Sequence, residues 1–364
     1  MAERRIASID AVRGVAMILM AIDHVRVYSG VPAGGQSPAV FFTRWITHFV
    51  APAFVFLAGT AAYLYGRRVS RGALSKYLVT RGLWLVLLEL TVIRVGWTFN
   101  FDFAHYMLAG VIWVIGWSMV VLSAAIFLPR AVIATIGIAI IALHNLIPPL
   151  DEPNVLLKFL YFDGGVGPLF ILYVLIPWVG VMMAGYAFGA VMESDRRRTI
   201  CLRLGLAVTA LFVLLRWLDI YGDPRHWRND PSLLHFLATS KYPASLQFLL
   251  MTLGPMFLLL AAAESWRGKA GGVVSTFGRV PMFYYLLHIP LIHTAACVVS
   301  LIREGRVDPW LFGNLPVDPP PLPAGYMWSL PLLYLVFVIC VTVLYFPCRA
   351  YARVRSRHAW LAYL

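Results

Sequence analysis

Apolar stretches of roughly 20 residues recur along this chain, the length a helix needs to cross the hydrocarbon core of a bilayer. They fall near 7–28, 40–66, 78–97, 105–128, 131–148, 168–192, 201–221, 244–263, 280–302 and 326–348. In lipid every backbone polar group must be paired internally, which makes runs of this kind helices. Composition agrees: 60% of residues are hydrophobic, only 13% are charged, and the mean hydropathy is +0.77. That excludes a soluble globule. The reading is all-α: a polytopic integral membrane protein, about ten transmembrane helices in one bundle, with residues 1–364 as a single domain. Pro148 and Pro149 cut the fifth run short, and Pro52 predicts a bend in the second.

Basic residues set the orientation. Arg67, Arg68, Arg71, Lys76 and Arg81, then Arg196, Arg197 and Arg198, and finally Arg349, Arg353, Arg355 and Arg357 flank alternate ends of the runs. By the positive-inside rule both termini are cytoplasmic. The net charge of +13 then belongs to short juxtamembrane clusters facing anionic lipid headgroups, not to a nucleic-acid surface. The first run is interrupted by Asp10 and Arg13, so it is not a cleavable signal. Cys201, Cys297, Cys340 and Cys348 lack the close spacing of a metal or redox motif and read as free thiols. The stretch Asn314 to Pro323 reads as a stiff extended connector.

Polar residues inside the runs are the functional signal, because an ionisable group at bilayer depth costs at least about 2.5 kcal/mol. The first run holds Asp10, Arg13, Asp23, His24 and Arg26. At about 100° per residue, Asp10, Arg13, Met17 and His24 share a sector about 60° wide, and the rise of about 1.5 Å per residue carries it some 20 Å along the helix. The chain thus has a polar track across the membrane. Asp10 and Arg13, at i and i+3, can equally serve as an internal ion pair that fixes the helix in the bundle.

Histidines favour the outer ends of the predicted spans. His24, His48 and His105 lie near such ends, His144, His226 and His235 in or beside outer loops, and His288 and His293 in the middle and outer half of the ninth run; His358 alone is cytoplasmic. Imidazole titrates near neutrality and is the commonest general base, so this asymmetry points to a proton-transfer or ligand site opening outward. His24 and His288, inside apolar runs, are the leading candidates, although each histidine also admits a structural role. Asp23, Arg26, Arg44, Arg94, Asn100 and Asp102 fall at the same predicted depth, supplying carboxylates to orient an imidazole and cations for an anionic ligand. Glu89, buried in the third run, admits either a functional role or a structural one, as partner to another helix's donors.

In the ninth run, Gly278 to His293, Tyr284 and His288 stand one turn apart ahead of Pro290. Facing inward they form an acid–base or hydrogen-bonding unit; the bland alternative is a kinked helix with an aromatic cluster. His288 and His293 point about 140° apart on a helix, which argues against a metal pair.

The segment Ser8-Ile9-Asp10-Ala11-Val12-Arg13-Gly14-Val15-Ala16-Met17-Ile18-Leu19-Met20, with Ala51-Pro52-Ala53-Phe54-Val55-Phe56-Leu57-Ala58-Gly59, resembles the start of the transmembrane acyltransferase superfamily. The branch it is most similar to is named for the catalytic domain of heparan-alpha-glucosaminide N-acetyltransferase, which has many bacterial members. Gly278 to His293 is similar to a late GRxPxFxYLLH stretch of those members. The resemblance implies transfer of an acetyl group from cytosolic acetyl-CoA, as co-substrate, to an amino or hydroxyl group of an extracytoplasmic sugar or glycan, with no metal. It implies a bacterial inner-membrane location, with lipids as neighbours and a homodimer left open. In that scheme His24 is the base oriented by Asp23, with His48 and His288 as further catalytic candidates, while Asp10, Arg13, Arg44 and Tyr284 shape the donor site. One departure stands out: the lysosomal member carries its catalytic histidine in the loop after its first helix, and here Tyr28 to Ala39 contains none. The base is then His24, His48 or a group on another helix. The rival reading is a secondary transporter or permease of a small polar solute, which would also use midplane charges and a helix broken near Pro290. Against it, the two halves show no evident inverted repeat.

Overall fold

The computed structural model describes residues 6–35, 37–266, 268–313, 316–317 and 319–355. Arg357, His358 and, within the proline-rich stretch, Asn314, Leu315 and Asp318 lie outside the described residues. In chain order the main helices are α1 (Ala7–Ser29), α2 (Pro38–Gly66), α3 (Arg71–Leu88), α4 (Val111–Ala125), α5 (Arg130–Leu143), α6 (Leu175–Met192), α7 (Arg197–Leu218), α8 (Leu246–Ala263), α9 (Lys269–Arg279), α10 (Pro281–Glu304) and α11 (Leu330–Arg355). Six of them, α2, α6, α7, α8, α10 and α11, are long and apolar enough to cross a membrane. α4 and α5 are shorter apolar helices.

Local breaks follow the residues. The expected bend in α2 is a 3₁₀ turn at Ile46–Phe49, just ahead of Pro52, whose ring would clash with the His48 carbonyl in a regular helix. α3 runs through a π-helical turn, Glu89–Ile93, into a last helical segment, Arg94–Thr98. The fourth and sixth apolar runs begin as strands, not helices: β1 (Met107–Ala109) pairs in parallel with β3 (Leu169–Ile171), which pairs antiparallel with β2 (Gly164–Val166). Three-residue strands show no periodicity in sequence, so the all-α expectation omits this small sheet.

The chain forms two compact units. The first takes residues 6–8, Ala51–Leu90 and Phe103–Ser265. Its helices approach closely at glycines: a β-carbon at Gly59 would collide with the Met182 carbonyl, and one at Gly185 with that of Phe56. Small residues of this kind let apolar helices pack backbone to backbone where no hydrophobic effect drives them together. Thr60 Oγ1 adds a hydrogen bond to Gly185 O at 3.0 Å. Glu89, buried on the π turn, accepts from the amides of Ile112 (2.7 Å) and Trp113 (3.0 Å) and so caps α4. Of the two roles open to it, the structure gives the structural one. Arg216, fully buried, donates to the carbonyls of Arg225, His235, Phe236 and Ala238 and to Gln247 Oε1, tying the loop after α7 to α8.

The second unit takes Ile9–Val50, Thr91–Asp102 and residues 266–355. Here α9, a short amphipathic helix that the hydropathy pattern hides, lies against α1: a β-carbon at Gly278 would strike the Asp10 carbonyl, and one at Gly14 that of Val274. α10 packs on α11 and on the segment Arg94–Thr98, where Gly96 faces Pro290 and Ile289. The C-terminal end of α1 is tied down by Tyr326 Oη donating to Tyr28 O (3.0 Å) and Trp328 N donating to Ser29 O (2.9 Å). The four cysteines are free thiols, and Cys201, Cys340 and Cys348 are buried.

Candidate active site

Three candidate residues of the second unit, His24, His288 and Tyr284, meet where α1 contacts α10. His24 Nδ1 lies 2.6 Å from His288 Nε2, with the ring centroids 4.7 Å apart and the planes 23° apart. His288 is fully buried, and its Nδ1 faces the carbonyls of Tyr285 (2.7 Å) and Tyr284 (3.2 Å) on its own helix. A carbonyl only accepts, so His288 Nδ1 carries a proton. The neutral ring then offers its Nε2 lone pair to His24, whose Nδ1–H donates. This ordering leaves the His24 lone pair on Nε2, as a base requires.

Neighbouring rings fix the pair. Trp97 sets its edge against His24 at 4.8 Å and 65°. Tyr284 stacks on His288 at 5.3 Å and 19°, and Phe277 meets Tyr284 at 5.3 Å and 81°. The Tyr284 hydroxyl is buried and has no hydrogen-bond partner among the described residues. A second stack continues toward the C-terminal end of α1, with His293 between Tyr28 (4.7 Å) and Phe99 (3.9 Å). Tyr28 Oη donates to Trp97 O at 2.6 Å, which joins the two stacks.

The charged candidates fall into distinct local groups. Asp23 is shared by Arg26 Nε at 2.8 Å and Arg44 Nη1 at 2.9 Å, so it links α1 to the start of α2. Arg26 also donates to Val31 O (2.9 Å) and Arg44 to Thr47 Oγ1 (3.1 Å). Arg94, buried, donates to the carbonyls of Asn100 and Asp102, to Asn100 Oδ1 at 2.6 Å and to Thr98 Oγ1 at 3.0 Å. It is a strut for the loop after Thr98, which Asn100 Nδ2 also pins to Phe312 O at 3.1 Å. Asp10 is buried and Arg13 half-buried near the other end of α1, and His48 sits half-buried in the 3₁₀ turn of α2.

The remaining histidines belong to the first unit. His144 is a cross-tie, with Nδ1 on Ile140 O and Ile141 O and Nε2 on Ala244 O at 2.9 Å. His226 faces Asp219 at 3.5 Å and His235 faces Asp230 at 3.2 Å, and His105 is exposed. Among the described histidines, His24, His288 and His293 are the ones that stand together with these aromatic stacks. Trp97 and Tyr28 went unmarked in sequence because aromatic residues near span ends are ordinary anchors.

Six apolar helices long enough to span a bilayer define an integral membrane protein, and its second unit holds the half-buried His24 against the fully buried His288. The chain belongs to the heparan-alpha-glucosaminide N-acetyltransferase catalytic family, whose description matches residues 5–222. No curated protein matches it. The family match covers His24 and ends before α10, so His288 and Tyr284 rest on the geometry alone.

Proposed function

We propose that this protein is a membrane acyltransferase that moves an acetyl group from cytosolic acetyl-CoA to an amino or hydroxyl group of an extracytoplasmic sugar or glycan. The observation that carries this reading is the His24–His288 pair, 2.6 Å apart and anchored on backbone carbonyls. His24 is the base: its Nε2 takes the proton of the acceptor as that atom attacks the thioester carbonyl, and returns it to the leaving thiolate. His288 positions the ring by accepting from Nδ1, and stabilises the imidazolium as it forms, the role a carboxylate plays in a catalytic triad. Asp23, with Arg26 and Arg44, braces the outer end of α1. Asp10 and Arg13, lower on the same helix face, lie along the donor's path, where a guanidinium suits the coenzyme's phosphates.

The topology that serves this chemistry has ten spans, adding α1, α3 with its continuation to Thr98, α4 and α5 to the six long apolar helices, with both termini cytoplasmic and the chain in a bacterial inner membrane. A track through the bundle lets an activated acyl group reach an acceptor that never crosses.

The test is release of coenzyme A thiol from acetyl-CoA by the purified full-length protein, with glucosamine as trial acceptor, in wild type, His24→Ala and Arg13→Ala. Release by wild type that collapses in His24→Ala is the expected result. Acetyl-CoA binding without turnover would make glucosamine the wrong acceptor, and neither binding nor turnover would overturn the reading in favour of transport.

A further inference from the structure

The ring stacked on His288 ends in the Tyr284 phenol, a polar group that takes no part in the His24–His288 hydrogen bond. Tyr284 is fully buried, and its Oη has no hydrogen-bond partner among the described residues. Burying a hydroxyl without a partner costs about 1–3 kcal/mol, so such a group in a packed interior calls for a reason. The rings set against it, Phe277 and His288, bring no carboxylate. A phenolic O–H in such a lining suits a neutral acceptor, a carbonyl oxygen. The stack places it two rings from His24, through centroid steps of 4.7 and 5.3 Å.

We propose that Tyr284 Oη–H donates a hydrogen bond to the thioester carbonyl oxygen of the acyl donor and stabilises the oxyanion formed from it. This rests on the acyl-transfer reading above. The acceptor's nitrogen or oxygen bonds to the carbonyl carbon while its proton passes to His24 Nε2. The carbonyl π pair moves onto oxygen, where Tyr284 holds it. When the intermediate collapses, that pair re-forms the carbonyl, the carbon–sulfur bond breaks, and the thiolate leaves with its electron pair and takes the proton from His24. No oxidant or further reactant is needed. Packing between Phe277 and His288 holds the buried phenol in place, and one hydrogen bond from a preorganised donor of this kind is worth a factor of about 10²–10³ in turnover.

The experiment compares Tyr284→Phe with wild type in three readouts: turnover of acetyl-CoA, affinity for coenzyme A, and the carbonyl stretch of bound acetyl-CoA carrying ¹³C in the carbonyl. The assignment expects kcat about 10²-fold lower, unchanged affinity for coenzyme A, which has no thioester carbonyl, and an unchanged or higher melting temperature. It also expects a carbonyl stretch lowered in wild type and restored in the variant. Wild-type kcat in Tyr284→Phe, an identical stretch in both proteins, or a variant that no longer folds would each overturn it while leaving the acyltransferase reading intact. Wild-type protein that neither binds nor turns over acetyl-CoA would overturn both.

Discussion

His288 holds His24 through a bond whose polarity is set by backbone: two carbonyls claim the Nδ1 proton of His288, and its Nε2 must therefore accept from His24 Nδ1, 2.6 Å away. The consequence is testable by changing only the acceptor. His288→Phe keeps an aromatic ring on α10 but strands the His24 N–H, whereas His288→Gln can still accept through its amide oxygen. We expect turnover to fall by about two orders of magnitude or more in His288→Phe, as for a misoriented triad histidine, with a smaller loss in His288→Gln. Steady-state kinetics with KM separated from kcat checks this, since a positioning residue acts on kcat. Equal activities in the two variants would count against positioning through that bond.

Asp23 lies between two guanidiniums, and removing it leaves Arg26 and Arg44 facing each other at the top of α1. Breaking one partner of a buried ion pair typically costs 3–5 kcal/mol, and the side-chain exposures of the three residues, 10–18%, place the group close to that regime. A double-mutant cycle of Asp23→Asn and Arg44→Gln, read by chemical or thermal unfolding in detergent, should give a coupling energy of about 1–3 kcal/mol. Additive effects would show that the link between α1 and α2 carries little energy.

What was legible in the sequence follows from the length scale of each signal. Runs of about 20 apolar residues mark candidate spans, six of which are helices long and apolar enough to cross a membrane, and a histidine within such a run is conspicuous, so His24 and His288 could be singled out from sequence. That they touch could not be read, because their rings meet across 264 positions. The partner of Asp23 at i+3 was within local reach, while Arg44 depended on how α2 returns to α1. Glu89 looked like a membrane-buried carboxylate, and only the π turn, which no periodicity announces, shows it reaching the α4 amides. Arg216 carried the same signal as Arg13, a guanidinium in an apolar run, and its role as a tie for loop carbonyls needed the folded loop. The β1–β3–β2 sheet and α9 were too short to register against the stronger helical pattern.

Gly278 matters for space, not for backbone freedom. A β-carbon there meets the Asp10 carbonyl, a backbone atom that cannot swing away as a side chain could. Overpacking of this kind costs about 1–3 kcal/mol. Gly278→Ala is expected to lower the melting temperature and, by shifting α1, to reduce turnover together with it. Gly272→Ala, on the same short helix with open space around the added methyl, is the control and should leave both unchanged.

The capping role of Glu89 predicts an ordering among substitutions. Glu89→Ala removes the acceptor of two α4 amides in a buried setting, a loss of about 1–2 kcal/mol for the cap. Glu89→Gln keeps one carbonyl oxygen and should retain part of it. Thermal unfolding of the three proteins checks the ordering; a carboxylate needed for chemistry would instead show wild-type stability and lost turnover in Glu89→Gln.

Glu264, just past the end of α8, sets an acid limit on stability in the first unit. Burial alone would push its carboxyl up, but hydrogen bonds from Arg197 at 2.8 Å and Ser8 at 2.5 Å, with the charges of Arg197 and Arg198, hold it below the usual carboxylate range. A group whose pKa is depressed by folding contributes stability that is fully present above its unfolded value, about 4.3 for glutamate, and is lost as pH falls through the folded value. Stability should therefore be flat for this group at neutral pH and fall on acidification below about pH 4.3. Glu264→Gln removes the titration: the variant is less stable than wild type at pH 7, and the gap narrows as pH drops through that window. Melting temperatures of the two proteins from pH 7 down to about pH 3 provide the check. A gap that stays constant across the range would show that the Arg197–Glu264–Ser8 contact contributes no charge-dependent stability.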